Sequence, residues 1–536
     1  MPTQRFHGGA PLIPIPLLAP GQFGLNTEAE ATLLPPQWAT VLNNAVFDGA
    51  GRAATRKGWL TQTTSAVSGT IMRVFEYVQA DGTVETISST DADIFTGRTT
   101  PSSIEGSLGI SEGNIKFVNL NDKCIAIGTG TSGNPSVYTG SGNFTTVTVA
   151  TGTAPTGTVG TAAFGRLWVC DADGKTIRYC ALIDETKWAT ADGGGTIDMS
   201  KVWPYGQDIV MGIAEFAGDL VVFGQNQIVV WTDGQGSNNG IDPTVIYISD
   251  TIPGTGLVTQ FATCNVKGDL WFLSPSGVQS LKRVFQEKTT PLTNISKNVQ
   301  SKVLAYLADE GDENDITMTF SPAEDLVLLI FPTSAKIVVF DTRLQLEDGS
   351  YRCAEWTTLL QTASYHTSDR QLYGSFSDTA GEILKYTGYK DNGSFYDFGY
   401  TSGWLDLGND LNPYLKFVKR MTSFLFIRAN TDITFNLYYD FSTAAAGSIT
   451  DSISAQTGAE FNVSEFGTNG SRNPASGDYT PGVDVSEYSG SVSLQSLSVP
   501  GEGNGQYIKV GATLSTQASE FSLQQINLYA KIGRLA

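Results

Sequence analysis

Between about residue 70 and residue 390 the chain repeats one arrangement: a short apolar run, a tight polar turn, and a second apolar run. The clearest cases are FVNLNDKCIAIG (117–128), AAFGRLWVC (162–170), IAEFAGDLVVFG (213–224), CNVKGDLWFLS (264–274), TFSPAEDLVLLIF (319–331) and YHTSDRQLYG (365–374), with a weaker one in VFEYVQADGTVETIS (74–88). Apolar runs this short, punctuated by Gly, Asn and Asp, read as antiparallel hairpins. The first apolar residues after the turns are Val84, Cys124, Leu167, Leu220, Leu270, Leu326 and Leu372, spaced by 40, 43, 53, 50, 56 and 46 residues. A β-hairpin period of that length implies a β-propeller, because one small sheet cannot bury both its faces and must pack in a ring. The competing arrangement is two stacked sandwiches whose hairpins happen to be evenly spaced. We expect six to seven degenerate blades over residues 65–400, closed partly by a strand from the N-terminal region. The turns at Asp81-Gly82, Gly165-Arg166, Gly218-Asp219 and Gly268-Asp269 are expected at equivalent blade positions.

The flanks differ in texture. Residues 1–64 read as an N-terminal arm ending in the propeller-closing strand. Pro14, Pro16 and Pro20 interrupt the apolar start and remove donors that a sheet would need. Leu12, Ile13, Ile15, Leu17 and Leu18 then look like an assembly arm that seeks a partner surface. Residues 401–536 contain the strands SFLFIRA (423–429), ITFNLYYD (433–440), YIKVGATLS (507–515) and FSLQQINLYAKI (521–532), separated by a Gly/Ser/Thr/Ala-rich stretch. That combination predicts a C-terminal β-sandwich-like domain with long loops.

Composition agrees with an all-β chain: 40% hydrophobic, only 16% charged, and 58 glycines to supply turns. The net charge of −20 argues against a nucleic-acid clamp, which needs Lys and Arg to displace phosphate counterions. The pairs Lys282-Arg283 and Lys419-Arg420 are isolated. Residues 401–536 hold 12 acidic and 8 basic residues, so most of the acidity lies in the first 400. The start lacks a basic n-region and an unbroken apolar core, so a signal peptide is not expected, nor is a membrane span. Cys124, Cys170, Cys180, Cys264 and Cys353 form no CxxC, and all five are expected to be reduced.

Motifs that carry chemistry are few. Gly128-Thr129-Gly130-Thr131-Ser132-Gly133 matches GxGxxG, but a strand-like segment follows where a dinucleotide site needs a helix. The acidic run Asp309, Glu310, Asp312, Glu313, Asp315 lacks EF-hand spacing and reads as a solvated loop. Two histidines, His7 and His366, leave little for a catalytic triad or a histidine metal site, and no GxSxG occurs. No cofactor, metal or catalytic role is expected.

One resemblance gives these features a context. Gly24-Leu25-Asn26, Pro36 and Trp38, Asn43-Asn44 and Arg56-Lys57-Gly58 resemble the opening segment of the tail nozzle proteins of short-tailed bacteriophages. That family is also called tail tubular protein B, or packaged-DNA stabilisation proteins. Gly165-Arg166-Leu167-Trp168-Val169 with Trp188 is similar to one of its blade strands, and Trp404-Leu405-Asp406-Leu407-Gly408 with Lys416 to the start of its later β domain. Lys531-Ile532-Gly533-Arg534 is similar to its ending. The candidate family-like positions are therefore Asn44, Arg56, Gly58, Arg166, Leu167, Trp168 and Trp404. The resemblance implies a virion tail component assembled in the host cytoplasm as a homo-hexamer beneath an adaptor ring. Tail fibres or a spike would be neighbours, and genomic DNA would pass through the lumen without tight binding. The alternative is a propeller-based receptor-binding or glycan-degrading tail protein.

Overall fold

The computed structural model describes residues 12–110, 113–129, 133–233, 241–282, 294–377, 381–406, 414–428, 430–453, 470–472, 479–481, 493–516 and 519–535. The chain divides into two compact units, one of residues 60–351 with 357–386, the other of residues 1–59, 352–356 and 387–536.

The first unit is a β-propeller. Among the described residues, seven antiparallel sheets succeed one another, within the six-to-seven range the repeat implies. Blade 1 runs Arg73–Val78, Val84–Ser89, Ile94–Thr96 and Ser102–Ser103, and blade 2 Lys116–Leu120, Lys123–Ile127, Ser136–Tyr138 and Thr145–Thr146. Blade 3 spans Gly160–Ala163 to Gly195–Asp198, and blade 4 Val210–Phe216 to Tyr247–Pro253. Blade 5 has Thr263–Val266, Asp269–Ser274 and Gly277–Ser280, and blade 6 opens with Thr317–Ser321, Leu326–Phe331 and Lys336–Gln345. Blade 7 has Leu360–His366, Gln371–Phe376 and Leu384–Tyr386, with Trp59–Thr61 as its outer strand. That outer strand continues into Gln62, whose N–H donates to the Ile383 carbonyl at 2.9 Å, and Ile383 N–H donates to Thr63 Oγ1 at 2.8 Å.

The seven residues aligned in the sequence all lie at the start of the second strand of a blade. The turns at Asp81-Gly82, Gly165-Arg166, Gly218-Asp219 and Gly268-Asp269 join first to second strands in blades 1, 3, 4 and 5. In three of them two residues suffice, Phe164-Gly165, Ala217-Gly218 and Lys267-Gly268, and both residues have positive φ. A left-handed pair matches the strand twist of a tight hairpin, which is why Gly recurs at the second place. Neighbouring blades share apolar layers: Tyr77 and Ile87 with Phe117 and Cys124, Ile125 and Ile127 with Leu167 and Val169, and Trp168 with Leu220 and Val229. Phe223 then packs on Phe272, and Ile71 and Val74 of the blade 1 side meet Tyr373 and Ile383 of the blade 7 side. One ten-residue helix, Gln300–Asp309, lies between blades 5 and 6.

The second unit is a two-sheet, sandwich-like body. In one sheet the long strand Tyr414–Ile427 lies between Ser493–Pro500 and Phe521–Leu535. In the other, Val41–Asn43, Asp397–Thr401, Ile508–Ser515, Thr431–Tyr439 and Gly447–Ile453 follow in spatial order. Alternate residues face inward: Ile433, Phe435 and Leu437 are all buried. The sheets meet through contacts such as Phe398 on Phe521, with ring centroids 5.3 Å apart.

Two expectations need correction. Residues 12–58 are not an arm, because Ala45–Phe47 and Ala53–Thr55 belong to the sheet built on Phe521–Leu535, and Val41–Asn43 pairs with Asp397–Thr401. The segments 352–356 and 387–400, placed in the propeller by sequence, also belong to the sandwich unit. Further, Ile13–Leu18 is an antiparallel edge strand on the same chain, with Ile13 opposite Ala530 and Leu17 opposite Ile526. Pro14 and Pro16 are two residues apart, so their missing N–H groups fall on one edge and leave the other free to pair. Leu17 is fully buried, Ile13 and Ile15 are half-buried, and only Leu12 and Leu18 are exposed.

Candidate functional site

Arg56 organises a densely bonded site of the sandwich unit. Its side chain is wholly buried, and its guanidinium donates through Nη1 and Nη2 to Asp391 Oδ1 and Oδ2 at 2.8 and 2.5 Å. Nε donates to Asn44 Oδ1 at 3.1 Å, and Nη1 also donates to the Lys57 carbonyl at 2.8 Å. The guanidinium lies over the Tyr396 ring at 3.9 Å and faces Trp356 at 5.3 Å. A planar fork suits this place because it satisfies a carboxylate two-pronged while stacking on aromatic faces.

The residues around Arg56 hold distant segments together. Asn44 takes a left-handed turn at φ 50° and donates from Nδ2 to the Asp397 carbonyl at 2.8 Å. Its own N–H donates to the Glu355 carbonyl at 2.7 Å. Trp356 Nε1 donates to the Ala45 carbonyl at 2.8 Å, and the Tyr396 hydroxyl to the Arg56 carbonyl. Burial raises the Tyr396 pKa, keeping the hydroxyl a donor. Gly58 lies against the 390 loop so closely that a Cβ would stand 2.1 Å from the Lys390 carbonyl oxygen. Gly24 is similar: at φ 89°, its Cβ would meet Cys353 backbone atoms at 2.7 Å.

Asn44, Arg56 and Gly58 are thus brought together. Trp404 lies elsewhere in the same unit, nearly buried against Phe441, and its N–H donates to the Ala31 carbonyl at 2.8 Å. Leu167 and Trp168 are core positions of blade 3, and Arg166 is half-buried at the start of the same strand. Arg166 donates to the Cys180 and Gly193 carbonyls at 2.8 and 2.6 Å, and Trp168 Nε1 to the Ala163 carbonyl at 3.0 Å. Asp391, Tyr396 and Trp356 escaped the sequence reading, since nothing local in Lys390-Asp391-Asn392-Gly393 marks it as more than a turn.

The remaining motifs are structural. Gly128 and Gly133 have positive φ and lead into the strand Ser136–Tyr138, while residues 130–132 lie outside the described residues. Asp312 accepts from Asn314 N–H, and Asp315 from Asn114 Nδ2 at 2.9 Å. No group of His, Cys, Asp and Glu suited to a metal occurs among the described residues, and the five cysteines are free thiols. No helix among the described residues is long and apolar enough to cross a membrane. His7 and Arg283 lie outside the described residues.

The sandwich surface carries an apolar groove lined by Ile15, Pro16, Leu17, Leu33, Pro35 and Trp404 among others, with a cavity of about 360 Å³. Leu33 is 76% exposed there, and Leu18, beside the lining residue Leu17, is 54% exposed.

No protein-family model and no curated relative matches the chain. Among solved structures the chain is similar to Raptor of Chaetomium thermophilum, at 13% identity and a TM-score of 0.37, over 62% of this chain and 29% of that one. The β-propeller domain of Cps50 (Swd1) from Myceliophteria thermophila aligns at 9% identity and a TM-score of 0.37, over 60% of this chain and 99% of that domain. PorZ, a surface component of the type-IX secretion system of Porphyromonas gingivalis, aligns at 9% and 0.31, over 65% and 42%. Likenesses this distant concern the fold alone, and the propeller rests on its own sheet topology.

Proposed function

We propose that the chain is a non-catalytic structural subunit of a short-tailed phage tail nozzle, a hexameric ring that retains and then conducts genomic DNA. The observation that carries this reading is the Arg56 cluster. The N-terminal string that resembles the nozzle family supplies Asn44, which bonds to Glu355 and Asp397, Arg56, which bonds to Asp391, and Gly58, whose N–H donates to the Gly388 carbonyl, all within one unit. A string kept for binding or catalysis would be expected at a cleft, whereas this one braces chain segments more than 300 residues apart. The apolar groove beside Leu33 adds support, because an exposed apolar patch with a pocket suits a subunit or adaptor contact.

Electron microscopy of the purified chain tests the assignment. Rings with six-fold symmetry are expected, and Leu33→Asp should weaken them while leaving the far-UV circular dichroism unchanged. A monomer at every concentration, or a trimer that cleaves host polysaccharide, would instead favour the receptor-binding or glycan-degrading tail protein.

A further inference from the structure

The first strands of blades 1, 2, 5, 6 and 7 converge on a cavity of about 150 Å³ within the propeller, large enough for a few waters or one small polyatomic ion. Its lining is unusual for so acidic a protein, because it includes two cations, Arg73 and Lys116, and no carboxylate. Both face the ring of Phe261, with Arg73 Cζ at 3.9 Å and Lys116 Nζ at 5.7 Å from the centroid. Threonine hydroxyls complete much of the wall, among them Thr317, Thr319 and Thr362.

The hydrogen bonding is incomplete in one direction. Arg73, only 6% exposed, donates through Nη1 to the Met72 carbonyl at 2.7 Å and Thr317 Oγ1 at 3.2 Å, and through Nη2 to the Asn314 carbonyl. Its Nε–H is buried without a partner. The Lys116 ammonium makes no hydrogen bond or ion pair among the described residues, and neither does the Thr362 hydroxyl. Thr319 is already committed to the Ala363 carbonyl at 2.6 Å. What remains is a set of donors without a protein acceptor: the buried Nε–H of Arg73, the half-buried Lys116 ammonium and the Thr362 hydroxyl. A buried donor without a partner is costly, and native structures ordinarily satisfy it.

We propose that this cavity binds one small oxyanion, held by Lys116 Nζ, Arg73 Nε–H and the Thr362 hydroxyl. The electrostatics agree with that geometry. Loss of water, reinforced by the Arg73 charge, pushes the Lys116 pKa down to about 8, and burial pushes Arg73 down to about 10. Asp315 and Asp312 partly offset the charge of Arg73, but no carboxylate does so for Lys116. An anion in the cavity would supply the missing counter-charge and acceptor together. The size excludes a nucleic-acid duplex, so the ligand is a free ion or small molecule with a compact anionic group. The site lies within the propeller and stands apart from the nozzle assignment.

Sulfate is a suitable probe, since its charge is constant from pH 7 to pH 9.5. Calorimetric titration of the full chain with sodium sulfate, in chloride buffer at constant ionic strength, is expected to give saturable binding at one site. Lys116→Met should weaken it about tenfold or more, the loss of one charge-assisted hydrogen bond, and Lys116→Arg should retain most of it. Absence of saturable binding by the native chain, or equal binding by Lys116→Met, would overturn the proposal. If the methionine variant does not fold, the native chain titrated at both pH values decides. Binding must weaken at pH 9.5 as Lys116 loses its proton, and unchanged affinity refutes the site.

Discussion

Arg56 and Asp391 form a two-pronged ion pair across 335 residues of sequence, with Nη1–Oδ1 and Nη2–Oδ2 distances of 2.8 and 2.5 Å. The arginine side chain is fully buried and the aspartate nearly so, at 15% exposure. Removing one partner strands the other charge in a low-dielectric site, which typically costs about 3–5 kcal/mol. We expect Asp391→Asn to destabilise the sandwich unit by about that amount in urea unfolding. Arg56→Lys should also be costly, because a lysine cannot keep the fork to Asp391 and the bond to Asn44 at once.

Gly58→Ala is expected to be as damaging as either change, for a purely steric reason. The added Cβ would stand 2.1 Å from the Lys390 carbonyl oxygen and 2.5 Å from the Lys390 nitrogen, both backbone atoms that cannot swing aside. The 390 loop must then move, which breaks the hydrogen bond from Trp59 N–H to the Lys390 carbonyl and disturbs the Asp391 prong. A variant that folds with an unchanged urea midpoint would show that this loop is not held as tightly as its contacts imply.

These effects also mark where sequence reasoning reached and where it stopped. The propeller was legible because each hairpin is local: Leu167, Leu220 and Leu270 follow their own turns by a residue or two, and the spacing repeats. The glycine-rich turns could be read for the same reason. The sandwich boundary was not legible, since the partners of Ile13–Leu18, Val41–Asn43 and Ala54 lie hundreds of positions later and the pairing has no local signature. The register of Phe521–Leu535 is further concealed by an irregularity near Phe424 and Leu425, which shifts the buried positions from Leu523 to Ile526. Asn44, Arg56 and Gly58 were singled out by resemblance, whereas Asp391 sits in an ordinary-looking polar turn.

The N-terminal strand gives a prediction opposite to that for a free arm. Leu17 is fully buried opposite Ile526, so Leu17→Ala should cost about 2–5 kcal/mol through lost packing and a residual cavity. Deletion through residue 18 should also bare one edge of Phe521–Leu535 and promote aggregation. Native gel migration and the urea midpoint of the truncated chain check this. An unaltered midpoint would mean that the strand is dispensable for folding.

His366 makes the propeller sensitive to mild acid. The side chain is fully buried, packs on Tyr373 with centroids 4.7 Å apart, and neither ring nitrogen has a hydrogen-bond partner among the described residues. Desolvation pushes its pKa down to about 4, although Glu76 and Asp369 nearby act the other way. The unfolded chain therefore takes up a proton before the folded one does. Stability is unaffected above pH 6.5 and is lost progressively as pH falls towards 4, by on the order of 3 kcal/mol for this group. Glu76 adds a separate loss at lower pH, since bonds from Thr367 and Ser368 hold its pKa below the usual value despite burial. His366→Phe should flatten the thermal midpoint between pH 6.5 and 4.5. A wild-type midpoint that is already flat there would refute the assignment.

If the chain forms the proposed nozzle, its charge sets how the channel treats DNA. Each subunit carries −20, and residues 1–400 contribute most of it. Duplex DNA bears one negative charge per ~1.7 Å, and binding without regard to sequence requires Lys and Arg to release its counterions. An acidic wall instead repels the duplex over a Debye length of about 8–10 Å at physiological salt, which favours a centred, sliding rod over a held one. The cavity cations Arg73 and Lys116 do not alter this, because the cavity they line is too small to admit a helix. Purified rings are therefore expected to show no measurable duplex binding at moderate salt in fluorescence anisotropy, with little change as salt is lowered modestly. Tight binding with a steep inverse dependence on salt would contradict both the acidic conduit and the role assigned to the charge.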